Sequence, residues 1–148
     1  MAKEEIQDNC IHIEYIVVDQ DFSRAGEASS DLKKRLKQLN VDPRSIRRVS
    51  IAMYEGEINM VIHANGGKID AYIYPDHIDL SLQDVGPGIP DIEKAMEVGF
   101  STAKPNVMAL GFGAGMGLPN MKKNSDSMKI TSEVGKGTTV DMTINFGQ

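Results

Sequence analysis

Glu55 and Asn59 are the first residues in this sequence whose types and spacing suit catalysis. If they lie four residues apart on one helix, their Cβ atoms are about 5–6 Å from each other, whereas Glu57 points roughly the opposite way. An amide oxygen is a suitable ligand for Mg²⁺, and a neighbouring carboxylate can accept a proton from an attacking hydroxyl group. The pair also fits a plain solvent-facing polar surface, so this segment alone leaves both interpretations open.

Asp84 ends a second cluster, in which a segment of alternating apolar and polar residues is followed by Gly86 and Gly88. The alternation predicts a strand, and the glycines allow a sharp turn and a close approach of the backbone to a flat ligand. A carboxylate at this point can accept a hydrogen bond from the exocyclic amine of adenine. A plain turn after a strand would explain the glycines but not the carboxylate.

The third cluster has glycines at alternate positions, 111, 113, 115 and 117, immediately before a predicted helix. Free backbone N–H groups and a helix N-terminus are suited to binding phosphate oxygens. No Gly-Lys-Ser/Thr follows, which excludes a P-loop, and the absence of Gly-x-Gly-x-x-Gly argues against a dinucleotide site. Seven of the fourteen glycines lie between Gly86 and Gly117, and this concentration favours a ligand-binding role over a plain flexible loop.

The elements that position these clusters are predicted from periodicity and from turn residues. Asp42 followed by Pro43 is typical of a helix start, and the helix that carries Glu55 and Asn59 is expected to run to about Ala64. Other helices are predicted at 22–39, 91–98 and 116–123. Strands are predicted at 11–18, as an edge or first strand, and at 68–74, 77–83, 129–133 and 138–146.

Neighbouring strands are joined by short turns at 75–76 and 135–137, which indicates antiparallel hairpins. The predicted fold class is therefore an α/β (α+β) two-layer sandwich, with a mixed, mostly antiparallel sheet and helices on one face. A chain of 148 residues fits a single domain over 1–148.

Composition narrows the classes of partner. A net charge of −5 argues against broad binding to nucleic acid or to anionic membranes, which requires a basic surface. The single cysteine, Cys10, excludes an internal disulfide, and no apolar signal segment or membrane span is present, so a cytoplasmic location is expected. The basic residues that could form either a solvated face or a docking surface for an acidic partner are Lys33, Lys34, Arg35, Lys37, Arg44, Arg47 and Arg48.

The order of the three clusters resembles that of the GHKL (Bergerat-fold) ATPases over nearly the whole chain. The similar motifs are Glu55-x-x-x-Asn59 for the N box, Asp84-x-Gly86-x-Gly88 and Gly113-x-Gly115-x-Gly117 for the two glycine boxes, and Gly137-Thr138-Thr139 for the terminal strand motif. Within this superfamily, residues 84–102 and 115–123 are very similar to the small bacterial serine kinases that regulate sigma factors, particularly the switch kinase of the stressosome.

This resemblance implies binding of ATP with Mg²⁺ and transfer of the γ-phosphoryl group to a serine or threonine of a STAS-domain antagonist protein. Glu55 would be the general base, Asn59 the Mg²⁺ ligand and Asp84 the residue that reads adenine. The other implied nucleotide contacts are Gly86 and Gly88 at the adenine pocket, Gly113, Gly115 and Gly117 at the phosphates, and Thr139 near the adenine base. Residues 100–116 would form a lid, lengthened here by 104–113, and Arg24 would contact the partner protein.

Two other functions stay open. An ATP-gated binding module that sequesters a sigma factor or another regulator, with little turnover, would keep the nucleotide site but would not need Glu55. A detached histidine-kinase catalytic domain is disfavoured, because no helix pair with a phosphoacceptor histidine precedes the nucleotide site. The sequence is compatible with a homodimer, and it does not identify the partner protein.

Overall fold

The computed structural model describes residues 2–7, 9–18, 22–89, 91–97 and 117–147. The strands in these residues are β1 (Ala2–Gln7), β2 (Cys10–Val17), β3 (Gly67–Ile73), β4 (His77–Asp84), β5 (Ser127–Glu133) and β6 (Gly137–Asn145). The helices are α1 (Glu27–Gln38), α2 (Pro43–His63), α3 (Ile92–Ala95) and α4 (Gly117–Lys123), and a 3₁₀ turn covers Phe22–Arg24.

The six strands form one sheet in the order β1-β2-β3-β4-β6-β5, and every pair of neighbours in it is antiparallel. Alternate residues of the central strands are buried under the helices, as Leu80 and Leu82 are on β4. Helix α2 packs on this face of the sheet and lies between α1 and α4. The predicted two-layer α+β class, with helices on one face, is confirmed, but the described strand pairs are all antiparallel and the sheet was expected to be mixed.

The sequence prediction failed for the first strand. Residues 11–18 were expected to be an edge or first strand, but β2 lies inside the sheet, because β1 precedes it and pairs with it from Ala2↔Tyr15 to Gln7↔Cys10. Strand β1 has the sequence AKEEIQ, and its Ile6 is 82% exposed. Backbone pairing holds this strand in place, so it has no apolar periodicity by which it could be recognised.

The main helix begins as predicted. Asp42 caps α2, its Oδ2 accepting a hydrogen bond of 3.0 Å from the N–H of Ser45, and Pro43 occupies the first turn. The helix predicted at 22–39 is instead interrupted at Gly26, whose φ of 91° is left-handed, and regular helix starts only at Glu27.

Both predicted hairpins, β3–β4 and β5–β6, are present. In the described part of the chain, no helix is both long enough and apolar enough to cross a membrane. The segment expected to be irregular, 100–114, lies outside the described residues, and so does the start of the helix predicted at 116.

Candidate functional site

Helix α2 presents Glu55 and Asn59 at the border of its buried face, where both side chains are half-buried. The same helix is fixed on the sheet by fully buried Val49, Ala52 and Met53. Glu55 and Asn59 both face α4: Asn120 Nδ2 donates to Glu55 Oε1 over 3.4 Å, and Asn59 Nδ2 contacts Met121 Sδ at 4.0 Å. The predicted pairing of an amide and a carboxylate one turn apart is thus placed against the start of a second helix.

Gly117, the first residue of α4, lies directly against the amide of Asn59. A Cβ at this position would be 2.9 Å from both Nδ2 and Oδ1 of Asn59, so a larger residue would displace the amide. The glycine therefore leaves room for the Asn59 oxygen, which accepts no hydrogen bond from the described residues. The other two residues predicted to contact phosphate, Gly113 and Gly115, and the predicted lid at 100–116 lie outside the described residues.

Asp84 is the last residue of β4, and its side chain is half-buried. Burial raises the pKa of this carboxyl, and the hydrogen bond of 2.8 Å from the N–H of Thr138 to its Oδ1 opposes the increase. Gly137 allows the approach, because a Cβ there would overlap the carbonyl oxygen of Asp84. Within the described residues, the second carboxylate oxygen is left without a hydrogen-bond donor and is available to a ligand.

The turn that follows Asp84 is held against the protein at several points. A Cβ on Gly86 would be 2.9 Å from the Cβ of Ala64, and one on Gly88 would be 2.6 Å from the carbonyl oxygen of Glu133. The backbone of Val85 also exchanges hydrogen bonds with Asn65 and Gly66. In addition to the ligand contact expected from the sequence, these glycines let the turn pack closely on the end of α2 and on β5.

Thr138, and not Thr139, lies beside Asp84. Thr139 is opposite Gln83 in the β4–β6 register, on the sheet face away from the helices, whereas Thr138 is buried on the face that Asp84 shares. The Oγ1 of Thr138 is 2.8 Å from Ser132 Oγ. The structure thus brings Thr138 to Asp84 and turns Thr139 to the other side of the sheet, since successive strand residues point to opposite faces.

Glu57 has a structural role that the sequence did not predict; helical spacing indicated only that its side chain points away from Glu55. It is 3% exposed, and its carboxylate accepts hydrogen bonds of 2.7–3.2 Å from the N–H groups of Gly26, Ala28 and Ser29 and from the Ser29 hydroxyl. The carboxylate thus caps the N-terminus of α1, where a negative charge is favourable. Helical spacing turns Glu57 away from Glu55, but no local signal identifies donors about thirty residues away.

Gly56 also has a structural reason that the sequence does not reveal. A Cβ at this position would overlap Leu82 Cδ2 and would be 3.1 Å from Met121 Cε. Gly56 thus lets α2 approach β4 and α4 closely, between the two glutamates. The close approach outweighs the roughly 1 kcal/mol by which glycine disfavours a helix relative to alanine.

Arg24, the predicted partner contact, is exposed and forms an ion pair of 3.2 Å with Glu27. It borders a surface groove of about 670 Å³, which Tyr54 and Glu55 also line. The structure therefore brings Arg24 to the groove that contains the candidate general base. Asp84 lies near the C-terminus of α2, close to the C-cap residue Ala64.

Residues 45–148 match the family model described as Histidine kinase-, DNA gyrase B-, and HSP90-like ATPase. The chain is 32% identical over 129 residues to Serine/threonine-protein kinase RsbT of Bacillus subtilis, covering 84% of this chain and 89% of the relative. It is 34% identical over 116 residues to Anti-sigma F factor of Caldanaerobacter subterraneus, covering 75% and 78%. The mycobacterial sensor histidine kinase MprB has the same fold, with a TM-score of 0.52, 17% identity and coverage of 91% and 97%.

Proposed function

Because the chain belongs to the family of histidine kinase-, DNA gyrase B- and HSP90-like ATPases, we propose that it is an ATP-dependent protein serine/threonine kinase. The substrate we propose is a STAS-domain antagonist protein, and the reaction is transfer of the γ-phosphoryl group of ATP to a serine or threonine hydroxyl. The observation that carries the proposal is the half-buried pair Glu55 and Asn59, which α2 presents to the start of α4 beside Gly117. The similarity to a relative named as a serine/threonine kinase supports it.

Asp84 is suited to recognising adenine. One of its oxygens is held by the N–H of Thr138, which orients the carboxylate, and the other can accept a hydrogen bond from the exocyclic amine of the base. Gly86 and Gly88 keep the turn in place against Ala64 and Glu133. The nucleotide then lies along the C-terminal half of α2, with its base at Asp84 and its phosphates toward Asn59.

The phosphate end of the site fits a magnesium ion. The Asn59 amide oxygen is a hard ligand of the kind that Mg²⁺ takes together with phosphate oxygens and water, and Gly117 leaves it room. When bound, Mg²⁺ neutralises charge on the phosphates. Gly113, Gly115 and Gly117 are proposed to donate backbone N–H groups to those phosphates.

Glu55 is proposed as the general base that accepts the proton of the attacking hydroxyl. Its hydrogen bond from Asn120 is long, at 3.4 Å, and leaves the carboxylate able to accept a further hydrogen bond from a hydroxyl group. Arg24 and Tyr54 border the same groove and are suited to contact the protein that brings the hydroxyl. A protein regulator as partner is also in line with the names of the relatives.

The test is intact-mass analysis of STAS-domain proteins from the same genome after incubation with this protein and Mg·ATP. We expect one added phosphate on one of these proteins, and no added phosphate with the Glu55→Ala variant.

A second test is calorimetry of ATP binding to the Asp84→Asn variant. This substitution replaces the acceptor facing the adenine amine with an amide that can present either its oxygen or its NH₂ group, so specific ATP binding is expected to be lost. Unchanged ATP affinity would remove Asp84 from the nucleotide site.

A second candidate is an ATP-gated module that sequesters a sigma factor or another regulator. The names of the relatives, among them Anti-sigma F factor, favour keeping it. If a regulator co-purifies in an ATP-dependent manner and receives no phosphate, the binding module is the correct function and the kinase proposal is wrong.

A further inference from the structure

Helices α1 and α2 form an antiparallel hairpin, and one surface groove follows the seam between them. Near the turn of the hairpin this groove has a volume of about 610 Å³, with Val41 and Ile51 half-buried in its floor. Lys33, Ser50 and Ile51 line both this part and the groove that reaches Glu55. The two parts are therefore continuous, and we call them together the seam groove.

The turn end of the seam groove carries an excess of positive charge. Lys33, Lys37 and Arg47 line it and are exposed, and none of them forms an ion pair with a described residue. The carboxylate that lines the same part, Asp42, offsets one of these three charges: hydrogen bonding from Ser45 holds its pKa below the usual range, and its other oxygen accepts from the Gly147 N–H.

Nearby arginines behave differently. Arg35 is paired with Asp31 at 2.8 Å and with Glu4 at 3.3 Å, and Arg48 is paired with Asp126 at 3.2 Å. Within the described residues, ion pairs are formed by Arg24, Arg35, Arg48, Lys68 and Lys136, so an exposed lysine or arginine without one is common on this protein. What distinguishes Lys33, Lys37 and Arg47 is that all three line one groove. Unpaired cations concentrated in one apolar-floored groove indicate a surface that is completed by an acidic ligand.

The seam groove also has a defined distance to the candidate catalytic residue. Arg47, Ile51 and Glu55 are spaced four residues apart on α2, so they lie on one helix face. Eight residues at 1.5 Å each separate Arg47 from Glu55 by about 12 Å. An extended chain advances about 3.3 Å per residue, so this distance corresponds to roughly three to four residues.

From this geometry we infer that the seam groove binds an acidic surface of the protein substrate, whose carboxylates lie about 12 Å, or roughly three to four extended residues, from the phosphoacceptor hydroxyl. This inference rests on the proposed kinase function. Lys33, Lys37 and Arg47 bind the carboxylates, Ile51 packs against apolar groups between them, and the hydroxyl reaches Glu55. The ligand is a protein and not a nucleic acid, because the net negative charge of the rest of the chain would repel the phosphates of a nucleic acid that extended past the groove.

The test compares Lys37→Glu/Arg47→Glu with the control Lys3→Glu/Lys129→Glu, which makes the same change in net charge at exposed positions on the other face of the sheet. In the intact-mass assay, we expect the groove variant to raise the KM for the STAS-domain substrate about tenfold, as a few exposed ion pairs allow, with kcat and ATP affinity unchanged. The control should behave like the wild type. Equal KM values for the two variants would overturn the inference and leave the kinase function standing.

If the wild type transfers no phosphate to any STAS-domain protein, the kinase function fails and a direct binding measurement decides the groove. The probes are fluorescent serine peptides with aspartates, asparagines or lysines three and four residues from the serine, and single-stranded RNA. The inference is supported if the wild type binds the aspartate peptide most tightly and if salt weakens this binding. The Lys37→Glu/Arg47→Glu variant should instead bind the lysine peptide most tightly. No preference among the peptides, or tighter binding of RNA, overturns it.

Discussion

Glu55 and Glu57 lie two residues apart on α2 and face different neighbours. Glu57 is 3% exposed and accepts four hydrogen bonds from the first turn of α1. Glu55 is half-buried, borders the seam groove and accepts one bond of 3.4 Å from Asn120. The same side chain, on the same helix, thus has saturated partners on one side and nearly free oxygens on the other.

The difference separates a structural carboxylate from one that is available for chemistry. A buried carboxylate is tolerated only when donors satisfy it, and Glu57 has backbone donors that are already oriented by a helix N-terminus. Those donors occupy both oxygens of the Glu57 carboxylate. Glu55 has no comparable set of donors, so a hydroxyl in the groove can form a hydrogen bond with it and transfer a proton.

The largest effect is expected from Glu55→Ala. Phosphate transfer in a single-turnover assay should fall by about 10² to 10⁴, the range for loss of a general base, while ATP binding is retained. Its free energy of unfolding in urea should change by no more than about 0.5 kcal/mol, since only one long hydrogen bond is lost. Normal transfer by this variant would remove Glu55 from the mechanism.

The opposite pattern is expected for Glu57→Ala. Removing the carboxylate leaves three N–H groups and a hydroxyl without their acceptor, so the free energy of unfolding should fall by about 2–4 kcal/mol in urea denaturation. Glu57→Gln, which keeps one acceptor oxygen, should lose less. Transfer by the folded protein at low temperature should stay within a few-fold of the wild type. A variant that is fully stable but slow in transfer would mean that the two glutamates have exchanged roles.

Sequence reasoning went far where the signal is local. Helical spacing alone separates the directions of Glu55 and Glu57, and Asp42-Pro43 marks the start of α2 correctly. Turn residues and alternation predict both hairpins, because each depends on neighbours in the chain. These features predict the fold class, the position of Glu55 and Asn59 one turn apart on α2, and the position of Asp84 at the end of β4.

The features that could not be predicted depend on distant partners or on a one-residue register. Glu57 finds its donors 28–31 residues earlier in the chain. The position beside Asp84 belongs to Thr138 because the β4–β6 register puts Thr139 opposite Gln83. Strand β1 carries almost no apolar residues, so only its pairing with β2 reveals it.

Gly56 lies between the two glutamates, and a substitution there tests the close packing of α2 against β4. Gly56→Ala should reduce the free energy of unfolding by about 1–2 kcal/mol, because the new methyl group overlaps Leu82 and the strain exceeds the gain in helix propensity. The matched background is Leu82→Ala, which removes the overlapping group. There, Gly56→Ala should be neutral or stabilising by up to about 1 kcal/mol. An equal loss in both backgrounds would show that the contact with Leu82 is not the cause.

Asp84 is a third carboxylate, intermediate between the other two, and pH distinguishes it. Burial raises its pKa in the folded protein, so the native state binds the proton more tightly than the unfolded chain does. The ionised carboxylate therefore disfavours folding above the folded pKa, and this penalty is relieved as the pH falls through that value.

Asp84→Asn keeps an acceptor for the Thr138 N–H but cannot ionise. In urea titrations between neutral and acidic pH, the wild type should gain stability relative to Asp84→Asn as the pH falls. A relative loss would mean that the Thr138 hydrogen bond to the ionised carboxylate outweighs the burial.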